Sequence, residues 1–354
     1  MKIEFVSIHS ILERVHVGGR LMRKLDETVL ELCDIVLTSD SGITSRVVRK
    51  HTDSDISHAM LYVQNHSLID STGDGVHASN TQRNLFADDS SVYVLRTRAP
   101  LTDLQKQSIV TYARTQIGTS YAKLQAAAVA RLNPLKPSTT NSRKQFCSRL
   151  VAQAYAYAGI DLVETPDYCS PNDLKSSQLL EPVPTAIRTA TEAEIAFANT
   201  FDSTKLMQDT SNALLTKARE KSGHIEAISD IDTHLFQHPA DDQFMTDALK
   251  ISGYLGVWRH DYKENPWHYD LDLMSEIEHT SAVEEYCKST VSQRDTTDRL
   301  QKNRIGYVQY FRSSNLQYFK ELAELYKLLS DLDRKRLTVA QAWLSQLQND
   351  KKES

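Results

Sequence analysis

The run Phe146-Cys147-Ser148-Arg149-Leu150-Val151-Ala152-Gln153-Ala154-Tyr155-Ala156-Tyr157-Ala158, closed by Gly159, decides how this chain is read. Cys147, Leu150, Val151, Ala154, Tyr155 and Ala158 fall on one face at helical spacing, and Gly159 ends the helix. The polar stretch Asn133 to Ser142, with Pro134 and Pro137, is loop. The cysteine is therefore the first residue inward of a helix start. A helix start offers unpaired backbone N–H groups and the positive end of the dipole, and both favour a thiolate over a thiol of ordinary pKa ~8.5. The same N–H groups can hold an oxyanion. A cysteine on an apolar helix face is more often a small buried hydrophobe, so a catalytic reading needs a base beside it.

The base candidate lies in Ser57-His58, which opens the apolar run Ala59-Met60-Leu61-Tyr62-Val63, a strand. Around it, Asp34 to Thr38, Leu68 to Ser71 and Ser91 to Leu95 read as further strands, with Gln64 to Ser67 as a hairpin connection. Thr102 or Asp103 caps a helix running to about Ile117 before Gly118. Residues 9 to 32 mix apolar and charged positions in helical fashion, interrupted at Gly18-Gly19, and predict a leading helix or helix pair. Beyond about Pro182 strand signals nearly vanish. Residues 191–220, 241–254, 275–297 and 315–347 carry helical patterns, the last with a Leu322, Leu325, Leu329, Leu332 stripe. The expectation is an α+β fold, a small antiparallel sheet packed on helices, followed by a mainly α-helical C-terminal region. The boundaries expected are 1–32 for the helical lead, 33–186 for the sheet-containing domain and 187–354 for the helical region.

Composition sets the outer limits. The chain has 354 residues, 40% hydrophobic and 25% charged, with a net charge of -5. No Lys/Arg block tracks a phosphate backbone, which speaks against nucleic acid. No stretch approaches the ~18 apolar residues of a membrane span. Glu4, His9, Glu13 and Arg14 interrupt the segment that a signal peptide would keep apolar, which predicts a cytoplasmic product as made. Cys33, Cys147, Cys169 and Cys287 form no CxxC pair and fit reduced thiols, with no metal or other cofactor called for.

Several motifs in order resemble a known family. They are Cys33-Asp34-Ile35-Val36-Leu37-Thr38; Thr52 to Val63 with its Ser57-His58; Ile69-Asp70-Ser71 with Gly75-Val76; Gly118-Thr119-Ser120-Tyr121; Phe146-Cys147-Ser148-Arg149-Leu150-Val151; and Pro171-Asn172-Asp173-Leu174. This order, histidine before cysteine, is similar to that of the circularly permuted papain-fold amidases of the YiiX/YebB type, relatives of the NlpC-type cell-wall peptidases. The resemblance covers about residues 33–182. It implies a cysteine hydrolase in which Cys147 is the nucleophile, His58 the general base and Asp70 the third member that orients the imidazole. It also implies Tyr121 and Ser148 as site-lining or oxyanion-holding positions. Relatives often carry Glu at the third position, and Asp70 is the shorter acid. His77, after Gly75-Val76, is the alternative third member; Asp70 is preferred because a carboxylate also stabilises the imidazolium.

Strand geometry adds a condition. Side chains alternate along strands, so if 58–63 and 68–71 pair antiparallel, His58 and Asp70 share a face only when paired numbers sum to an even value. A four-residue loop with Val63 opposite Leu68 gives an odd sum. A three- or five-residue loop, or a bulge, is required.

Other constellations are set aside. His234 and His238 have metal-ligand spacing but no intervening glutamate and a following Pro239. Trp258-Arg259-His260 and Trp267-His268-Tyr269 read as packing within the helical region. Cys169 lacks an immediate helix start, and Gly73-Asp74-Gly75 is a turn without the lysine of a phosphate loop. The resemblance implies a peptide, peptidoglycan-fragment or acyl-lipid substrate, the last through lecithin:retinol acyltransferase-like enzymes. Without a signal peptide, a wall-directed enzyme would be an effector exported by a dedicated machine, residues 187–354 serving delivery or binding to a protein partner. The rival class is a binding module that kept the fold and lost the chemistry.

Overall fold

A computed structural model describes residues 21–39, 55–119, 145–277, 280–292 and 295–353. They form two compact units, one running to Gln208 and taking in Glu226–Ile228, the other made of the remainder.

The first unit is built on a six-stranded antiparallel sheet of order β5-β4-β3-β2-β7-β8. Its strands are β2 (Ile35–Thr38), β3 (His58–Tyr62), β4 (Ser67–Thr72), β5 (Gly75–Asn80), β7 (Val92–Thr97) and β8 (Leu180–Pro182). A three-stranded sheet, order β6-β1-β9, joins β1 (Met22–Leu25), β6 (Phe86–Ala87) and β9 (Ile187–Thr189). The middle of the large sheet is covered on both faces, which is why its strands read as continuous apolar runs. Ile35, Leu37, Ala59, Leu61 and Ile69 face α1 (Asp103–Thr115) and α2 (Cys147–Tyr157), meeting Ile109, Ala113, Leu150, Val151 and Tyr155. Val36, Met60, Leu68 and Val94 pack instead with Leu25 and Leu30, with Phe86 and Ile187 alongside.

Local chemistry explains the helix ends. Thr102 caps α1 with a reciprocal Gln105 bond, Ser170 caps α3 (Pro171–Lys175) with Asp173, and Thr191 caps α4 (Glu192–Ala198) with Glu194. Gly159, at φ 77°, follows α2 in the left-handed region.

Four expectations need correction. The helix expected over 9–32 is a strand at Met22–Leu25, paired with β6 and β9; residues before 21 lie outside the described ones. The buried Lys24 finds its counter-ions in Glu27 at 3.4 Å and the distant Glu194 at 3.0 Å, a tertiary rescue that local charge patterning cannot reveal. The boundary at 186/187 falls inside this unit, because β9 at 187–189 completes the small sheet. The helix expected over 191–220 is interrupted between Ala198 and Ser203, giving α4 and α5 (Ser203–Ala218). Finally, the connection of β3 to β4 spans three residues, not four: Val63 N–H donates to the Ser67 carbonyl at 2.9 Å. Gln64, Asn65 and His66 all take positive φ (74°, 55° and 55°), at roughly 1–2 kcal/mol per residue for a side chain in that region.

The second unit contains α6 (Ile228–Gln237), α7 (Asp242–Ile251), α8 (Trp258–Glu264), α9 (Leu271–Ser275), α10 (Thr280–Ser292), α11 (Asp295–Ser314) and α12 (Gln317–Glu353). Met274, Val283, Cys287, Val339, Ala340 and Trp343 make one core cluster there. Trp267 and Tyr286 meet at 4.8 Å, and His268 stacks on Tyr286 at 4.3 Å, so the aromatic and histidine-rich stretch packs internally.

Candidate active site

The three-residue loop sets the site. It pairs Tyr62 with Leu68, Leu61 with Ile69 and Met60 with Asp70, all even sums, and so puts His58 and Asp70 on one face of the sheet. His58 Nε2 lies 2.6 Å from Asp70 Oδ2. The shorter acid thus reaches the imidazole directly.

Pairing of β3 with β4 stops at Met60 and Asp70. Continued one step, the ladder would join Ala59 to Ser71. Instead the Ala59 N–H hydrogen-bonds the Cys147 sulfur, and the Ser71 hydroxyl donates to the Gln145 carbonyl at 3.1 Å. The start of α2 is wedged where the two strands part, which lets a thiol carried by the helix layer reach the imidazole. His58 and Cys147 are hydrogen-bonded; with Nε2 held by Asp70, Nδ1 is the nitrogen left for the thiol.

Electrostatics follow from this contact. Burial alone would push the Cys147 thiol up, but the His58 charge and hydrogen bond, with the Ala59 and Ser148 N–H groups, hold it below its ordinary 9.0. Burial likewise pulls His58 down, yet the Cys147 charge and the Asp70 hydrogen bond carry it well above 6.5. Both shifts favour a thiolate beside an imidazolium. In the other described cysteines burial prevails: Cys33 is pushed up to about 12 despite Lys106, Cys169 to about 12 despite a Ser148 hydrogen bond, and Cys287 to about 11.

One helix end in this unit is unlike its neighbours. Phe146 precedes α2 and offers no side-chain oxygen, so no side chain caps the helix that carries Cys147, whereas α1, α3 and α4 all have capping boxes. No Phe146 side-chain oxygen competes for the first-turn N–H groups of α2. Ser148 supplies its backbone N–H to the thiolate, while its hydroxyl donates to the Cys169 carbonyl at 2.7 Å and ties α2 to the start of α3. Its side chain is a brace, not a lining group. Tyr121 lies outside the described residues. His77 stands directly across the β4–β5 ladder from Asp70, with Nε2 3.4 Å from Asp70 Oδ1.

Sequence reasoning missed a polar brace behind Cys147. Gln145, 1% exposed, donates to Gln153 at 2.9 Å, and the Tyr112 hydroxyl donates to the same Gln153 oxygen at 2.6 Å. Gln145 precedes the helix by two residues, and nothing in its local pattern marks it as buried. His234 is held by Asp241 at 2.9 Å, and among the described residues no three His, Cys, Asp or Glu side chains converge to hold a metal ion.

A family model described as "Permuted papain-like amidase enzyme, YaeF/YiiX, C92 family" matches residues 33–200. That stretch is similar to the permuted papain-like amidases. Among solved structures the chain is similar to one titled metalloprotein yiiX from Escherichia coli O157:H7, at 14% identity and a TM-score of 0.30, covering 44% of this chain and 97% of that one. No curated protein matches the sequence. The family matched by residues 33–200 is one of papain-like amidases, and the match supports a papain-like cysteine amidase or hydrolase. No described helix is long and apolar enough to cross a membrane.

Proposed function

We propose that the protein cleaves an amide bond through a thioester on Cys147, with His58 as acid and base and Asp70 as the group that orients it. The observation that carries the reading is the contact series Cys147 to His58 to Asp70, assembled from a helix start and two strands. The thiolate attacks the carbonyl carbon, a C–S bond forms, and the π pair moves to oxygen, where the uncapped N–H groups of α2 receive the charge. The oxyanion collapses, the C–N bond breaks, and the His58 imidazolium gives its proton to the leaving amine. His58, now neutral, takes a proton from water as the water attacks the thioester. The second tetrahedral oxyanion collapses, the C–S bond breaks, and the acid leaves as the Cys147 thiolate and His58 imidazolium are restored. No step calls for a metal.

The substrate in this proposal is a peptide of cell-wall peptidoglycan, and the protein is a delivered effector, the helical second unit serving delivery or partner binding. Incubation with peptidoglycan fragments, read by mass spectrometry, gives cleaved amide products with the wild type and none with Cys147→Ala. Unchanged cleavage by that variant ends the catalytic reading. A parallel incubation with phospholipids tests the lipid-directed acyl hydrolase or acyltransferase: acyl transfer there, with no peptide product, moves the substrate class. A secretion assay that gives equal export with and without residues 187–354 ends the delivery role.

A further inference from the structure

Asp70 has two carboxylate oxygens, and the proposed triad uses one of them. Oδ2 accepts from His58, while Oδ1 is buried and makes no hydrogen bond. An orphaned oxygen of this kind costs on the order of 1–3 kcal/mol if nothing donates to it. What faces it is His77 Nε2, 3.4 Å away, inside ion-pair range though not aligned as a hydrogen bond.

The other nitrogen of His77 fixes what the ring can offer. Nδ1 lies 3.1 Å from the Gly75 carbonyl, which only accepts, so Nδ1 carries a hydrogen. Nε2 then carries one only in the imidazolium form, in which the ring donates to both neighbours. In the neutral form two lone pairs would face each other. Backbone pairing holds the ring there: Asp70 is opposite His77, and Thr72 is paired with Gly75 across the Gly73-Asp74 turn. Among the described residues, Asp70 on β4 is the charged group within ion-pair distance of His77, and the Gly75 carbonyl on its own strand is its other partner.

We infer that His77 is a positioning residue: its ring, anchored at the Gly75 carbonyl, sets Nε2 against Asp70 Oδ1 and fixes the carboxylate so that Oδ2 points at His58. The inference rests on the Cys147, His58 and Asp70 reading above. It makes Asp70 and His77 consecutive members of one relay, where sequence alone offers them as alternatives. Second donors of this kind hold a catalytic group's orientation without touching substrate.

The test compares His77→Gln with His77→Asn. Both are neutral amides; the glutamine nitrogen reaches the position of Nε2, and the asparagine falls one methylene short. The readout is the rate of iodoacetamide labelling of Cys147 against pH, followed on the Cys147 peptide by mass spectrometry, which needs no known substrate. Labelling of His77→Asn at about pH 6 falls on the order of tenfold and its acid limb moves to higher pH, while His77→Gln stays near wild type. Labelling at alkaline pH, where any exposed thiol ionises, reports that the fold is intact. An acid limb in His77→Asn that coincides with wild type overturns the inference, as does a fall in His77→Gln equal to that in His77→Asn. His58→Ala runs alongside: if it too keeps the wild-type acid limb, the thiolate and imidazolium pairing has failed and the positioning role goes with it. If His58→Ala moves the limb and His77→Asn does not, only the role of His77 is lost.

Discussion

Cys147 and Cys169 sit at two neighbouring helix starts, both buried, and differ in everything that bears on reactivity. Cys169 precedes α3, whose first N–H groups are engaged by Ser170 and Asp173, and its thiol is pushed up to about 12 by burial. Cys147 opens α2, which no side chain caps, and a charged imidazole and two backbone N–H groups hold its thiol below the ordinary range. Burial is common to both, so burial does not separate their thiols. The partners do, and the imidazole among them comes from a strand 89 residues earlier, the difference between positions 147 and 58.

The largest way to break this contrast is to exchange the roles. Cys147→Ala lowers amide turnover on the order of 10⁵-fold, as removal of a nucleophile that acts with its base does, whereas Cys169→Ala keeps turnover near wild type. Steady-state rates on the substrate found by mass spectrometry decide it. Asp70→Asn comes next. It keeps the shape beside His58 but loses the charge that stabilises the imidazolium, and turnover falls on the order of 10²- to 10⁴-fold with the melting temperature little changed.

The pH profile sharpens the contrast. Cys147 lies below its ordinary value, so its share of the ion pair is fully present above that value and is lost as pH falls through the lowered one. His58 lies above its ordinary value, so its share is fully present below that value and is lost as pH rises through the raised one. Turnover is therefore bell-shaped, and the Cys147 labelling rate rises at a pH below that of a free thiol. An acid limb at or above the free-thiol value would show that Cys147 lacks the partners that set it apart from Cys169.

Stability changes are smaller and separate the helix from its chemistry. Leu150→Ala opens a cavity beneath α2, where Leu150 is 0% exposed, and costs about 2–5 kcal/mol in denaturant unfolding. Ser170→Ala removes the cap of α3 and costs about 1 kcal/mol, leaving Cys147 labelling unchanged. A change in that labelling would mean that the two helix starts are coupled through the bond from Ser148 to the Cys169 carbonyl.

The legible parts of the fold are those whose signals are local. The apolar runs at 35–38, 58–62, 67–72 and 92–97, the Thr102 cap and the Cys147 helix with its Gly159 stop all lie where spacing and turn chemistry put them. The strands at 22–25, 180–182 and 187–189 were not legible, because they are short and hold their places through partners far along the chain. Lys24 makes the point: a charge in a helix-like pattern is 3% exposed in a strand because Glu194 comes to meet it.

The site divides in the same way. The sequence by itself determined which residues could do the chemistry: a thiol at a helix start, a histidine at a strand start, an acid on the next strand. It also determined the parity condition under which the last two could meet. Only the tertiary structure decided that the condition holds, through three consecutive residues with positive φ, and that β3 and β4 part at Ala59 to admit the thiol. Side-chain chemistry and periodicity are written in neighbouring residues. Register and strand separation are set by the packing of the whole sheet, which makes a strained loop or an unfinished ladder worth its cost.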